Sequence, residues 1–208
     1  MNRRISILIV ALLTLEASTA RAELPTGYFV WSKGKAGVAS SRKIYRMTLP
    51  GKTDEKALTS GEDVSSQISP DGKWVAYAKA KLSSGSDYHA FHLWNIYIVS
   101  IHGVGDGREE IKIDSGAWPS WGAKDELYYN QPDKTHSTLI RVTLNADGGI
   151  ESHEVVLSTR KLFPSFKEVN ECFIAPGGEW FAARTRGAVN GVGAYWINPP
   201  KQDLLAQA

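Results

Sequence analysis

Beyond its first 22 residues the chain carries short apolar runs, each about as long as one strand. "GYFVW" (27–31), "KIYRM" (43–47), "NIYIV" (95–99), "TLIRV" (138–142) and "GAYWI" (193–197) are rich in β-branched or aromatic residues. Gly, Pro, Asp and Ser bound them, which is the pattern of strands, and helical periodicity is nearly absent. A longer period overlies this one. "ISPDGKWVAY" from Ile68, "WGAKDELYYN" from Trp121 and "IAPGGEWFAA" from Ile174 stand at equal intervals of 53 residues. Each copy has an apolar residue, a short turn, a charged residue and an apolar or aromatic run, so Trp74, Leu127 and Trp180 share one position in this alignment.

Leading segments "VSSQIS" (64–69), "WPSWG" (118–122) and "NECFIA" (170–175) and trailing segments "EKALT" (55–59), "EIKID" (110–114), "EVVLS" (154–158) and "QDLLA" (202–206) complete the units. Four short strands recurring every ~40–50 residues predict an all-β fold, a β-propeller of about four four-stranded blades. A sandwich shares the short strands but gives no reason for the same turn to recur. The first unit lacks an obvious leading strand, so the expectation spans a closed four-bladed ring and an incomplete part of a larger propeller. Exposed blade edges of an incomplete ring would invite a homo-oligomer or another chain.

"SPDGKWVAY" (69–77) followed by "NIYIVSIHG" (95–103) resembles the TolB-like, WD-repeat-like β-propeller repeat, which pairs a Ser-Pro-Asp-Gly-Lys turn with a downstream Ile-Tyr strand and a Gly. Trp118-Pro119-Ser120-Trp121 looks like the Pro-x-Trp leading into that turn. The resemblance covers the chain from residue 23 onward and is close only in the copy at Ile68. The copy at Trp121 has lost Pro and Gly, and the copy at Ile174 reads Ala-Pro-Gly-Gly. Such repeats occur in periplasmic and secreted propellers, usually of about six or more blades.

The ends and the charge narrow the classes. Arg3 and Arg4, the apolar stretch Ile5 to Leu15 and Ala20-Arg21-Ala22 have the layout of a signal peptide cut after Ala22, leaving residues 23–208 as one domain. The stretch is shorter than the ~20 residues of a membrane span, so no stable membrane anchor is expected, and the location is periplasmic or secreted. A formal net charge of +2 gives no support to a nucleic-acid partner. Cys172, the single cysteine, lies in apolar "ECFIA" and reads as a buried thiol.

Candidate chemistry is sparse. A type I turn accounts for every residue of Ser69-Pro70-Asp71-Gly72, and the alternating ligands of a calcium loop do not follow it. His89 and His92 would share a face only on a helix. The sequence has no His-Glu-x-x-His, no cysteine pair and no Gly-x-Ser-x-Gly, so neither a catalytic set nor a metal or other cofactor is expected. Trp74 and Trp180 read as core. The candidate ligand or partner surface is His89, His92, Trp94, Trp118, Arg184 and Arg186, with the insertion Lys81 to Leu93 beside it. The expected role is an exported, non-catalytic module holding a protein or peptide partner. The alternatives are a carbohydrate-active lyase or hydrolase using His89, His92, Arg184 and Arg186, or a shortened copy of a larger propeller.

Overall fold

The computed structural model describes residues 26–35, 38, 41–51, 53–80, 94–104, 109–123, 125–133, 135–162, 164, 168–175, 177–186, 191–197 and 200–207. They form fifteen strands and one four-residue helix, α1 (Thr159–Leu162). The first unit is β1 (Gly27–Lys33), β2 (Lys43–Leu49) and β3 (Thr53–Ala57). The second is β4 (Asp63–Ile68), β5 (Trp74–Ala80), β6 (Trp94–Ser100) and β7 (Ile111–Ser115). The third is β8 (Ala117–Trp121), β9 (Glu126–Asp133), β10 (His136–Leu144) and β11 (Ile150–Ser158). The fourth is β12 (Glu168–Ile174), β13 (Trp180–Arg186), β14 (Gly191–Ile197) and β15 (Pro200–Gln207). Each unit is an antiparallel meander, and a single parallel bridge, His136 to Val169, joins the third to the fourth. This is the propeller-like all-β architecture the repeat predicted, with a complete last strand in the fourth unit.

Why each sheet reads as nearly continuous apolar sequence follows from its two faces. Val75 and Tyr77 of β5 pack with Ile44 and Leu58 of the first unit, while Trp74, Ala76 and Ala78 pack with Trp121, Leu127 and Tyr129 of the third. In β9, Leu127 and Tyr129 face the second unit, while Tyr128 joins Cys172, Ile174 and Phe181 of the fourth. Successive residues of one strand thus enter two different cores, as a period of two requires. Each fully buried side chain of this size contributes about 1.5–3 kcal/mol.

The second strand of a four-stranded unit packs on the first strand of the next, β5 on β8 and β9 on β12, and β1, which holds the place of that second strand in the three-stranded first unit, packs on β4. Among the described residues, packing of that extent does not run from the fourth unit back to the first.

Structure corrects the alignment in one place. Ile68 pairs with Val75, Trp121 with Leu127 and Ile174 with Phe181. Leu127 is therefore the counterpart of Val75, and Glu126 that of Trp74. The third unit's turn, with Ala-Lys-Asp in place of Pro-Asp-Gly-Lys, is one residue shorter than the other two.

The turn between β10 and β11 also locks units together. Gly148 has φ +84°, and a Cβ there would stand 2.9 Å from both Ile98 and Ile111 and 3.1 Å from Trp74, all in the second unit. Gly148→Ala is expected to lower unfolding free energy by about 1–3 kcal/mol through overpacking and the left-handed backbone, as read by urea denaturation.

Candidate functional site

The first strands of the second, third and fourth units share an unusual backbone. Ser65, Trp118 and Glu171 have φ of 56°, 51° and 54°, and each lies in a register break against the following strand. They are 53 residues apart. A bulge of this kind bends the strand and re-aims the side chains beyond it.

The residue two positions after the bulge clasps the neighbouring unit. Gln67 Oε1 accepts from the Trp121 amide at 3.3 Å, and the Trp121 indole donates to the Gln67 carbonyl at 3.1 Å. At the next junction Ser120 Oγ accepts from the Ile174 amide at 3.0 Å and donates to its carbonyl at 3.4 Å. Asn130 adds a second tie, donating to the Cys172 carbonyl at 3.0 Å and accepting from the Cys172 amide at 3.2 Å. The fourth unit's counterpart of Gln67 and Ser120 is Phe173, which has no polar group and is 40% exposed.

Charge gathers instead where the first and second units meet. Asp63, fully buried at the start of β4, accepts hydrogen bonds from the Thr59 hydroxyl and the Gly61 amide, and Lys79 Nζ stands 3.8 Å from its other oxygen. Lys79 also bonds Glu110 at 2.6 Å and Ser60 at 2.9 Å and lies 5.2 Å from the centre of the Tyr97 ring. Burial raises the Asp63 pKa to about 7 against the opposing pull of Thr59 and Lys79. For Glu110, burial also acts upward, but Lys79 and Ser60 outweigh it and hold the carboxyl below its ordinary range. A second polar group ties β7 to β9 and β11: Tyr129 donates to Asp114 at 2.6 Å, and His153 stands 3.0 Å from the Tyr129 hydroxyl.

A cavity of about 230 Å³ opens at the recurring turn, between Asp71, Lys73 and Trp74 of the second unit and Trp121, Asp125 and Glu151 of the third. Its rim repeats the turn chemistry read in the sequence: the Gly72 amide donates to the Ser69 carbonyl at 2.9 Å, and the Lys73 amide to Asp71 at 3.1 Å.

Of the expected surface residues, Trp94, Trp118 and Arg184 fall within the described side chains. Trp94 and Trp118, 2% and 6% exposed, lie in the same core between the second and third units, which corrects their placement on a partner surface. Trp94 opens β6 and Trp118 sits at the bulge of β8, and at both places the side chain meets the adjoining sheet. Arg184 pairs with Glu171 at 3.1 Å, beside the fourth unit's bulge. His89, His92 and the insertion Lys81 to Leu93 lie outside the described residues, as does the Arg186 side chain. Among the described residues no group of three His, Cys, Asp or Glu could hold a metal ion, and no helix is long and apolar enough to cross a membrane. Burial pushes the Cys172 thiol far up.

Asp63 and Lys79 are the residues sequence reasoning passed over. Their counterparts, Gly116 and Gln131 in the third unit and Val169 and Thr185 in the fourth, are uncharged, so a charge on each strand of one copy was the available signal.

At the first unit's outer side lies an aromatic ladder. Phe29 stacks on Trp31 at 5.7 Å and Trp31 on Tyr45 at 5.9 Å. They correspond to Val75, Tyr77 and Tyr97, and Tyr77 stacks on Tyr97 at 5.9 Å in the same way. Yet Val75 and Tyr77 are fully buried, whereas Phe29 is 50% exposed.

Two solved peptidase structures agree with this architecture. A prolyl endopeptidase is 14% identical with a TM-score of 0.53, over 87% of this chain and 26% of that one. A puromycin-hydrolyzing peptidase from Mycobacterium tuberculosis is 12% identical with a TM-score of 0.50, over 88% and 31%. TolB from Acinetobacter baumannii is 13% identical with a TM-score of 0.45, over 88% and 53%. The chain folds as a β-propeller-like module. It spans about half of the TolB chain and less than a third of either peptidase. No protein family and no curated protein matches it.

The raised Asp63 pKa sets a pH dependence with a definite sign. The folded state holds this proton up to about pH 7 and the unfolded state only to about pH 3.9. Asp63 therefore weakens the fold progressively as pH rises from about 4 to 7. Asp63→Asn keeps an acceptor for Thr59 and removes the titration, so its melting temperature should gain on that of the wild type across this window. At about 2–4 °C per kcal/mol, thermal melts at several pH values resolve the difference.

Proposed function

We propose that this chain is an exported, non-catalytic β-propeller module of the TolB-like repeat type that holds a protein or peptide partner. The observation that carries the reading is the uncovered aromatic face of the first unit: Phe29, Trp31 and Tyr45 occupy positions whose counterparts Val75 and Tyr77 are sealed against a neighbour. An aromatic face of which part is exposed, with a cation at its rim, is the composition of an interaction surface. Here the cation is Lys33, 5.3 Å from the centre of the Tyr45 ring and paired with Glu55 at 2.6 Å. The other charged clusters tie neighbouring elements: Lys79 with Asp63 and Glu110, Arg184 with Glu171, His153 with Tyr129.

Export places this surface outside the cytoplasm, on the evidence of the basic, apolar and small-residue order of residues 1–22. Mass spectrometry of the chain recovered from the periplasm or medium should show a mature N-terminus at Glu23. Tagged residues 23–208 and their Phe29→Ser, Trp31→Ser variant should then be compared in affinity capture from that compartment. A partner retained by the wild type and lost from the folded variant is the expected result. Capture profiles identical for the two proteins would refute a partner site on this face.

A further inference from the structure

We infer that the first unit's aromatic face receives an acidic, hydroxyl-bearing turn of the partner protein, with Lys33 and Glu55 as its polar contacts; the inference rests on the partner-binding reading above. The second unit contains the same arrangement in the same register, and there the occupant is visible. Trp31 lies opposite Tyr45 as Tyr77 lies opposite Tyr97, and each pair of rings stacks at 5.9 Å. Two residues beyond the first ring stands a lysine, Lys33 or Lys79, whose ammonium is 5.3 or 5.2 Å from the centre of the second ring. Each lysine pairs at 2.6 Å with a glutamate, Glu55 in β3 or Glu110 just before β7. Tyr45 faces Ala57 and Tyr97 faces Lys112, so both glutamates stand two residues before the partner of the tyrosine.

In the second unit this lysine and glutamate hold a turn from the segment that joins the first unit to the second. The Ser60 amide donates to Glu110 at 2.9 Å, its hydroxyl accepts from Lys79 at 2.9 Å, and Asp63 Oδ1 stands 3.8 Å from Lys79. Glu110 thus takes an amide, and Lys79 takes a hydroxyl and a carboxylate. The Lys79 and Glu110 side chains are 20% and 15% exposed, whereas those of Lys33 and Glu55, at the same spacing, are 56% and 44% exposed. In the third unit the place of Lys79 belongs to Gln131, and it too donates to a carboxylate of the preceding unit, Asp114, at 3.1 Å.

Charge and shape extend the match. Lys43 lies directly across from Lys33, where the second unit has Asn95 across from Lys79. Directly opposed residues share a face, so the first unit's site carries one cation more and favours an occupant with a carboxylate. Leu58, two residues before Ser60, packs in the core of Val75, and Phe29 holds the place of Val75. An apolar residue two positions before the hydroxyl therefore completes the turn that this face fits.

The test uses as probe the peptide Ala-Leu-Thr-Ser-Gly-Glu-Asp-Val, residues 57–64 of the chain itself, carrying a fluorescent label. Residues 23–208 are titrated into it and anisotropy is read. Saturable binding is expected. Lys33→Gln and Glu55→Gln should each weaken it about tenfold, the scale of one charge-assisted hydrogen bond, as should Asp63→Ala within the peptide. Lys112→Gln, at an exposed lysine of β7, should leave it unchanged. Unaltered thermal melts show that these surface substitutions leave the fold intact, and the peptide variant tests the same contact on unaltered protein.

No saturable binding up to millimolar protein, binding indifferent to Lys33→Gln and Glu55→Gln, or an equal loss with Lys112→Gln would each overturn the inference. Capture of a partner that needs Phe29 and Trp31 but is unchanged by Lys33→Gln and Glu55→Gln would sink this inference alone. Identical capture profiles for wild type and the Phe29→Ser, Trp31→Ser variant would sink the broader reading.

Discussion

Face-to-face packing between consecutive sheets is the constraint on which the rest of this molecule depends. A strand in the middle of the chain sends alternate residues into two cores, so each sheet is the shared wall of two hydrophobic compartments. A four-stranded unit by itself would leave both walls wet. Only the neighbours make a unit stable, which is the energetic rule of repeat proteins. The rule also states what is unusual about the first unit: Phe29 is 50% exposed where its counterpart Val75 is fully buried.

Bulges in the first strands are the second layer of order. A left-handed non-glycine residue costs of order 1–3 kcal/mol, and three of them recur, one of them a tryptophan. At ~25 cal/mol per Å², burial of an indole of ~150–250 Å² contributes several kcal/mol, so at Trp118 packing outweighs the strain. At the second and third units the bulge also returns something the extended strand could not, a side chain aimed at the next unit's backbone. Trp121 and Ile174 point amide groups away from their own sheets, and Gln67 and Ser120 meet them. Backbone strain and inter-unit hydrogen bonding are thus two sides of one device.

Much of the architecture was legible because it is periodic. The interval of 53 residues located the turns, and the β-branched and aromatic runs located the strands, since both arise from local chemistry that one copy shares with the next. Leu127 was misaligned because a deletion inside a turn moves every later side chain to the other face, and spacing alone hides a one-residue change. Trp94 and Trp118 were misplaced for a related reason: whether an aromatic residue faces solvent or the adjoining sheet is decided by the next unit, not by its own segment. The left-handed residues had no signal at all, being Ser, Trp and Glu where glycine would have announced them.

Among the described residues, the first junction differs from the third in being held partly by ions. The third core, between the third and fourth units, is sealed by Leu, Val, Ile, Phe and a buried thiol, while the first adds Asp63, Lys79 and Glu110 to Ile44, Leu58 and Val75. At the start of the third unit's first strand a side chain is excluded altogether, because a Cβ on Gly116 would lie 2.7 Å from Tyr129. Asp63 is tolerated in the equivalent place because Thr59 and Gly61, from the chain joining the first unit to the second, turn hydrogen bonds toward it. The same joining segment bonds the Ile44 amide through Thr59 Oγ1, so one hydroxyl couples the carboxyl of β4 to the backbone of β2. A buried carboxylate with one cation at 3.8 Å is a weak cement above its pKa and a better one below it, since the neutral acid escapes the cost of burying charge. The attachment of the unit bearing the aromatic ladder is therefore one whose strength falls as pH rises toward neutrality.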